Sequence, residues 1–179
     1  MGMSAGRWAA GGGAVVVLVA TGAWARLPGG TGVDAGLWSR VRPAVEARLL
    51  EQPRGTGVGE PGARWFCRAE AVDLAERDGL VRAGVSTLCV EYGVRSGRLV
   101  ECSGAEVPQV IRLRREADGD YGVVSQETAP DGEGNAQWIT SRFGHVTAAS
   151  LDDTVSSTAL ESAARTHFNL PTDTPVTPC

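Results

Sequence analysis

The sequence predicts an α+β fold: one helix packed on an antiparallel β-meander, preceded by an N-terminal membrane-directing helix and followed by a C-terminal helical extension. Three observations carry that expectation. Residues 8–25 contain no charged side chain. Leu37, Val41, Val45 and Leu49 recur at every fourth position, the spacing of one helix face. From Trp65 to Glu127, short runs rich in Val, Leu and aromatic residues alternate with Gly-containing turns, as strands joined by hairpins do.

Between Arg7 and Arg26 the apolar stretch centres on Val15-Val16-Val17-Leu18-Val19, with Trp8 and Trp24 at its edges. Eighteen helical residues span roughly 27 Å, close to a bilayer's hydrocarbon core. Indoles at the edges suit a transmembrane anchor. Ala23-Trp24-Ala25 equally suits the cleavage site of a signal peptide. Residues 1–25 are therefore a signal peptide or a transmembrane anchor. Either device puts the rest of the chain outside the cytoplasm, at the cell membrane or secreted. Residues 26–36 form a Gly-rich linker, 37–145 the α+β domain, and 146–179 a helical extension with a mobile Pro/Thr-rich tail.

Within the domain, Pro43 interrupts the helical stripe, so the helix either starts there or kinks there. Strands are expected over 65–74 and 80–92, with Arg77-Asp78-Gly79 as the turn between them. Leu99 to Glu101 and Val107 to Arg114 form two further strands, and Tyr121 to Glu127 the last. Trp138, Ile139 and Phe143 mark a short helix that packs back on the sheet. Leu151, Val155, Ala159 and Ala163 give residues 147–168 a weak helical stripe.

Composition excludes some function classes. The net charge is −4 and the pI about 5.2, which leaves no electrostatic footprint for nucleic acid. All 17 cationic residues are arginine, and Ala, Gly and Val abound, as in a high-G+C bacterial genome. Arginine number thus implies no anion site. Arg112, Arg114 and Arg115 form the densest cluster, read as a solvated face or a guard on a strand edge.

The motifs of known chemistry are incomplete here. Gly57-x-Gly59-x-x-Gly62 matches a dinucleotide fingerprint as a string, but Pro61 lies inside it and a strand follows it. Asp131 to Asn135 spaces oxygen ligands as a calcium loop does, yet Ala136 and Arg142 stand where that loop needs Gly and Glu. Ser103 has no assignable base, and His145 and His167 lie outside the expected sheet. Asp152-Asp153 reads as an exposed or capping pair. Cys67, Cys89 and Cys102 lack the paired spacing of a structural zinc site. No catalytic, metal or cofactor-binding residue is assigned, and no cofactor is expected.

Four cysteines in an exported chain point to disulfides. With a three-residue loop at Arg77-Asp78-Gly79, Glu76 faces Leu80 and Cys67 faces Cys89. Facing residues stand about 4.5–5.5 Å apart at Cβ, near what a bridge needs. A two-residue loop would shift the register and put Cys67 opposite Val90. Cys102 is the rival partner: with Ser96-Gly97 as a two-residue turn it faces Glu91, diagonal to Cys89. Two unlinked buried thiols remain the alternative. By elimination, Cys102 pairs with Cys179.

Glu91-Tyr92-Gly93, Gly97, Ser103-Gly104, Pro108, Gly119-x-Tyr121, Pro130-Asp131-Gly132, Ile139 and Phe143 follow one another in a recognisable order. In this respect residues 65–143 resemble an uncharacterised extracytoplasmic domain. That domain occurs in small secreted bacterial proteins and behind membrane metallopeptidases of the β-lactam-sensor type. The resemblance implies a location and a fold, but no catalytic residue. A cystatin-like or NTF2-like sheet would fit it. Three functions are consistent with these features: a non-enzymatic binding module with an envelope protein partner, an envelope enzyme with a site between helix and sheet, or a tethered structural protein.

Overall fold

A computed structural model describes residues 33–52, 60–148, 151 and 155–179. The apolar segment 8–25, the linker to residue 32, Gly57, Gly59 and Asp152-Asp153 lie outside the described residues. The fold is α+β, one helix on a four-stranded antiparallel meander with further helices behind it. Among the described residues no helix is long and apolar enough to cross a membrane.

Helix α1 runs Ala35–Glu51. Asp34 caps it by accepting the Leu37 N–H at 2.8 Å, which satisfies one of the first-turn donors. The helix therefore begins eight residues before Pro43 and continues through it, rather than starting there. Pro43 and Ser39 are both exposed, so the carbonyl that loses its helical partner faces solvent. Leu37, Trp38, Val41, Val45 and Leu49 are all buried. They pack against Ala69, Val81, Ala83, Val85, Ile111 and Leu113 on the sheet's inner face. Each fully covered aliphatic side chain contributes about 1.5–3 kcal/mol of burial free energy.

The strands are β1 Arg64–Arg77, β2 Leu80–Arg95, β3 Arg98–Arg115 and β4 Tyr121–Thr128, in the order β1-β2-β3-β4. The first turn has two residues, Asp78 and Gly79, with φ of 51° and 72°, and Arg77 faces Leu80. Positive φ at both positions is the mirror-image turn whose twist matches the flanking strands. The three-residue loop is thus corrected. Alone, a two-residue turn would set Cys67 opposite Val90. The register, however, shifts between Ala71 and Asp73. Val72 is an extra residue in β1, and this bulge brings Cys67 back opposite Cys89. The two residues are joined as a disulfide with Cα atoms 4.1 Å apart.

β3 is one strand of 18 residues, not two short ones. Its centre, Cys102 to Glu106, has little strand propensity of its own, but β2 runs alongside and pairs with it. A second bulge, at Cys102, separates the pairs Tyr92↔Glu101 and Glu91↔Ser103. Cys102 is therefore the extra residue and does not face Glu91.

The sheet's outer face is covered late in the chain. Helix α2, Asn135–Ala148, is broken at Gly144, where φ is 74°. Its Phe143 packs with Val110 and Leu151, with Trp138, Ile139 and Val72 around them. Helix α3, Ser157–His167, is capped by Ser156 and buries Leu160 and Ala164. That stripe lies one residue beyond the expected Ala159 and Ala163, because the helix starts afresh at its own cap. Leu160 and Ala164 meet Val90, Tyr92 and Leu99. The tail is ordered, contrary to expectation: β5, Val176–Pro178, lies parallel to Leu99–Glu101 of β3. Cys179 is bonded to Cys102, and Arg165 Nε donates to the Thr174 carbonyl at 2.9 Å. These contacts replace the conformational freedom that a Pro/Thr-rich sequence suggests.

Candidate functional site

Besides the outer edges of β1 and β4, the sheet has an exposed stretch in the middle of β3. Gln109 to Arg115 pair with β4, and Leu99 to Glu101 pair with β5 on the same side. Between them, residues 103–108 pair with β2 alone among the described residues, and Cys102 is the bulge residue. At one end the Ala129 N–H donates to the Pro108 carbonyl at 3.1 Å, after which Pro130 takes the chain away. At the other, the Cys179 N–H donates to the Glu101 carbonyl at 2.9 Å. Successive strand residues point their backbone groups to opposite sides. Because the Pro108 carbonyl points to the β4 side, Glu106 and Gly104 present both N–H and C=O to the same open side. Ser103, Gly104, Ala105 and Glu106 are exposed.

Side chains stiffen the strand behind this window. Ser86, almost fully buried on β2, donates to Glu106 Oε1 at 2.8 Å. On the inner face Thr87 Oγ1 donates to the Val107 carbonyl at 2.7 Å, and Gln109 Nε2 donates to Thr87 Oγ1 at 3.1 Å. Gln126 of β4 donates in turn to Gln109 Oε1. Sequence reasoning missed this polar row. Its signal was polar residues at core-facing positions of otherwise apolar strands, at Thr87 and Gln109. Glu101 reaches over the window from the outer face: its Oε1 lies 4.0 Å from where a Cβ on Gly104 would stand.

Two shallow grooves lie elsewhere. One of about 320 Å³ separates Ala44, Ala47 and Arg48 of α1 from Val124, Ser125 and Gln126 of β4. Another of about 290 Å³ lies at the β1 edge among Leu50, Trp65, Phe66, Leu160 and His167. His167 packs edge-on against Phe66 and Phe168, with ring centroids 5.6 and 4.9 Å away. It thus sits on the outer face with α3, whereas Ser103 lies in the window opposite Glu91. His145 belongs to α2, and its side chain is outside the described part.

The arginine cluster is not an edge guard, because β3 is paired on both sides at Arg112 and Arg114. Arg112 Nη1 bonds Glu127 Oε1 at 2.6 Å, and Arg142 Nη2 bonds Glu127 Oε2 at 2.8 Å. The hydrogen bond from Arg112 holds the Glu127 carboxyl below its ordinary pKa. Arg95 is raised further by its bond to Glu60 and also donates to the Cys179 carbonyl at 2.8 Å. Burial, then the Glu101 and Glu161 carboxylates, push the Tyr92 phenol well above its usual value. Its hydroxyl has no hydrogen-bond partner among the described residues. Asp131 to Asn135 lead into α2: the Asn135 side chain donates to the Pro130 carbonyl at 2.9 Å. Among the described residues no group of His, Cys, Asp and Glu side chains is arranged to hold a metal. The site's residues thus offer backbone hydrogen bonds and two carboxylates. No known family model, curated protein or solved structure matches the chain.

Proposed function

We propose that the chain is an extracytoplasmic interaction module, held at the membrane by its N-terminal segment or released from it, that binds an envelope partner without turning it over. The observation that carries this reading is the exposed hydrogen-bonding edge at residues 102–108, stiffened from behind by Ser86, Thr87 and Gln109. A backbone edge fixed in this way suits binding. Two disulfides among the described residues fit an oxidising compartment, which supports a location outside the cytoplasm. One helix followed by an unbroken meander supports a cystatin-like or NTF2-like assignment. The kinship of residues 65–143 with the extracytoplasmic domain they resemble is part of the same proposal.

Photo-crosslinking in the native envelope tests the reading. A photoreactive residue is placed in turn at Ala105, Leu50 and Val124, on three separate surfaces. A discrete protein adduct at one position and none at the others is the expected result. The absence of adducts at all three would overturn it, and a hydrolytic activity in a broad esterase, peptidase and glycosidase screen would then assign the chain to the enzymes.

A further inference from the structure

We infer that the window in β3 takes up a short, basic, extended peptide segment of the partner as an added strand. This inference rests on the interaction-module reading and names the chemistry of its partner. Gly104 and Glu106 supply two N–H donors and two carbonyl acceptors on one open side, and an extended segment of about five residues matches them. Pro108 contributes no donor, and its carbonyl is taken by Ala129.

The ends of the window decide what can enter. Residues 102–108 span roughly 23 Å of strand. β4 stops at one end and β5 with Cys179 lies at the other, both in line with the gap. A second copy would offer one of its own outer strands, β1 with 14 residues or β4 with 8, and both are longer than the gap. So long and rigid an edge runs into β4 or β5 before it can pair. A flexible peptide segment fits between them.

Charge decides the segment's character. Glu106, oriented by Ser86, and Glu101, reaching over Gly104, place two carboxylates on the outer face of the window. Ala105 and Val107 lie on the opposite face. An added strand alternates its side chains between the two faces. Lysine or arginine at alternate positions then meets the carboxylates, and small apolar residues fall beside Ala105 and Val107. The same two carboxylates repel an acidic strand.

The test uses the full, oxidised, ¹⁵N-labelled chain in a mild non-ionic detergent. The probe is a capped heptapeptide alternating lysine and valine. Amide shifts should centre on Gly104 and Glu106, and a peptide alternating glutamate and valine should bind at least tenfold more weakly. N-methylation of the lysine amides and of the valine amides, in separate peptides, removes donors from opposite edges. One methylated peptide should lose binding more than tenfold and the other should keep it. E101Q/E106Q, in which both amides keep the shape of the side chains, should weaken binding several-fold and flatten its salt dependence. Equal binding by both methylated peptides, or shifts centred away from the window, would overturn the inference. So would a concentration-dependent dimer with shifts in the same window, which would assign it to a second copy. A crosslinked partner at Leu50 or Val124 but not at Ala105, with no peptide shift, sinks the strand addition and leaves the interaction module standing. No adduct at any position and no peptide shift sinks both.

Discussion

Cys67 and Cys89 join two strands that a tight turn and a full ladder of backbone hydrogen bonds already align. Cys102 and Cys179 join a bulge in β3 to a tail strand of three residues. The two bridges close 22 and 77 residues of sequence separation, respectively. In the first hairpin the covalent bond repeats what the hydrogen bonds impose. At the C-terminal closure it adds to a ladder of only three residues, the packing of Val176 and the bonds of Arg95 and Arg165. The difference teaches that a bridge gains most where few local contacts do the same task.

The largest effect should come from the closure. Chain entropy sets the contribution of the Cys102–Cys179 bridge at about 4.5 kcal/mol, and that of Cys67–Cys89 at about 3.4 kcal/mol before the help of its hairpin is counted. The double variant C102S/C179S should therefore lose more stability in urea unfolding than C67S/C89S. It should also lose hydrogen-exchange protection at Thr177, whose N–H faces β3 as that of Cys179 does, while the hairpin keeps its own. A greater loss in C67S/C89S would break the comparison.

A smaller effect is expected where the hairpin meets α2. A Cβ added at Gly84 of β2 would lie 2.6 Å from Cε1 of Phe143 on α2 and 3.2 Å from Cβ of Asp73. Gly84→Ala should cost about 1–3 kcal/mol by overpacking. It should displace α2 and not the hairpin, so the shift changes should follow Phe143, Trp138 and Ile139. Unchanged α2 shifts would show that the outer face yields without strain.

Glu127 gives the smallest effect and a pH signature. Its folded pKa is depressed, so the stability it adds is present above the carboxyl's unfolded value of about 4.3 and is lost as pH falls through the lower folded value. Glu127→Gln should lower stability by about 1 kcal/mol at neutral pH, with partial screening by solvent. The gap to the parent should close in acid. A gap that persists at about pH 2, well below the carboxylate range, would assign the loss to packing and not to the Arg112 and Arg142 pairs.

Much of the inner layer was legible. Val41, Val45 and Leu49 sit at helical spacing because a helix repeats about every 3.6 residues, and burial follows directly from that repeat. Asp78-Gly79 and Ser96-Gly97 announced their turns because positive φ favours glycine, and all four have it. The Cys67–Cys89 register came from a three-residue loop that does not exist. A shorter turn, marked by Asp78-Gly79, and a bulge at Val72 cancel, and the bulge left no mark in the sequence. The window in β3 was hidden for a related reason. Its open edge depends on where β4 stops and where β5 returns, not on the residues Ser103 to Glu106.

The sequence by itself determined the helix stripe, the hairpin turns, the number of cysteines and the α+β class, because each follows from a repeat or a backbone preference acting over a few residues. The tertiary structure alone decided the three bulges, at Val72, Cys102 and Val124, the ordered tail, the burial of Leu160 and Ala164, and the gap between β4 and β5. Those features depend on strands and helices far apart in sequence competing for the same edge and face. Local propensity carries no information about which competitor arrives there.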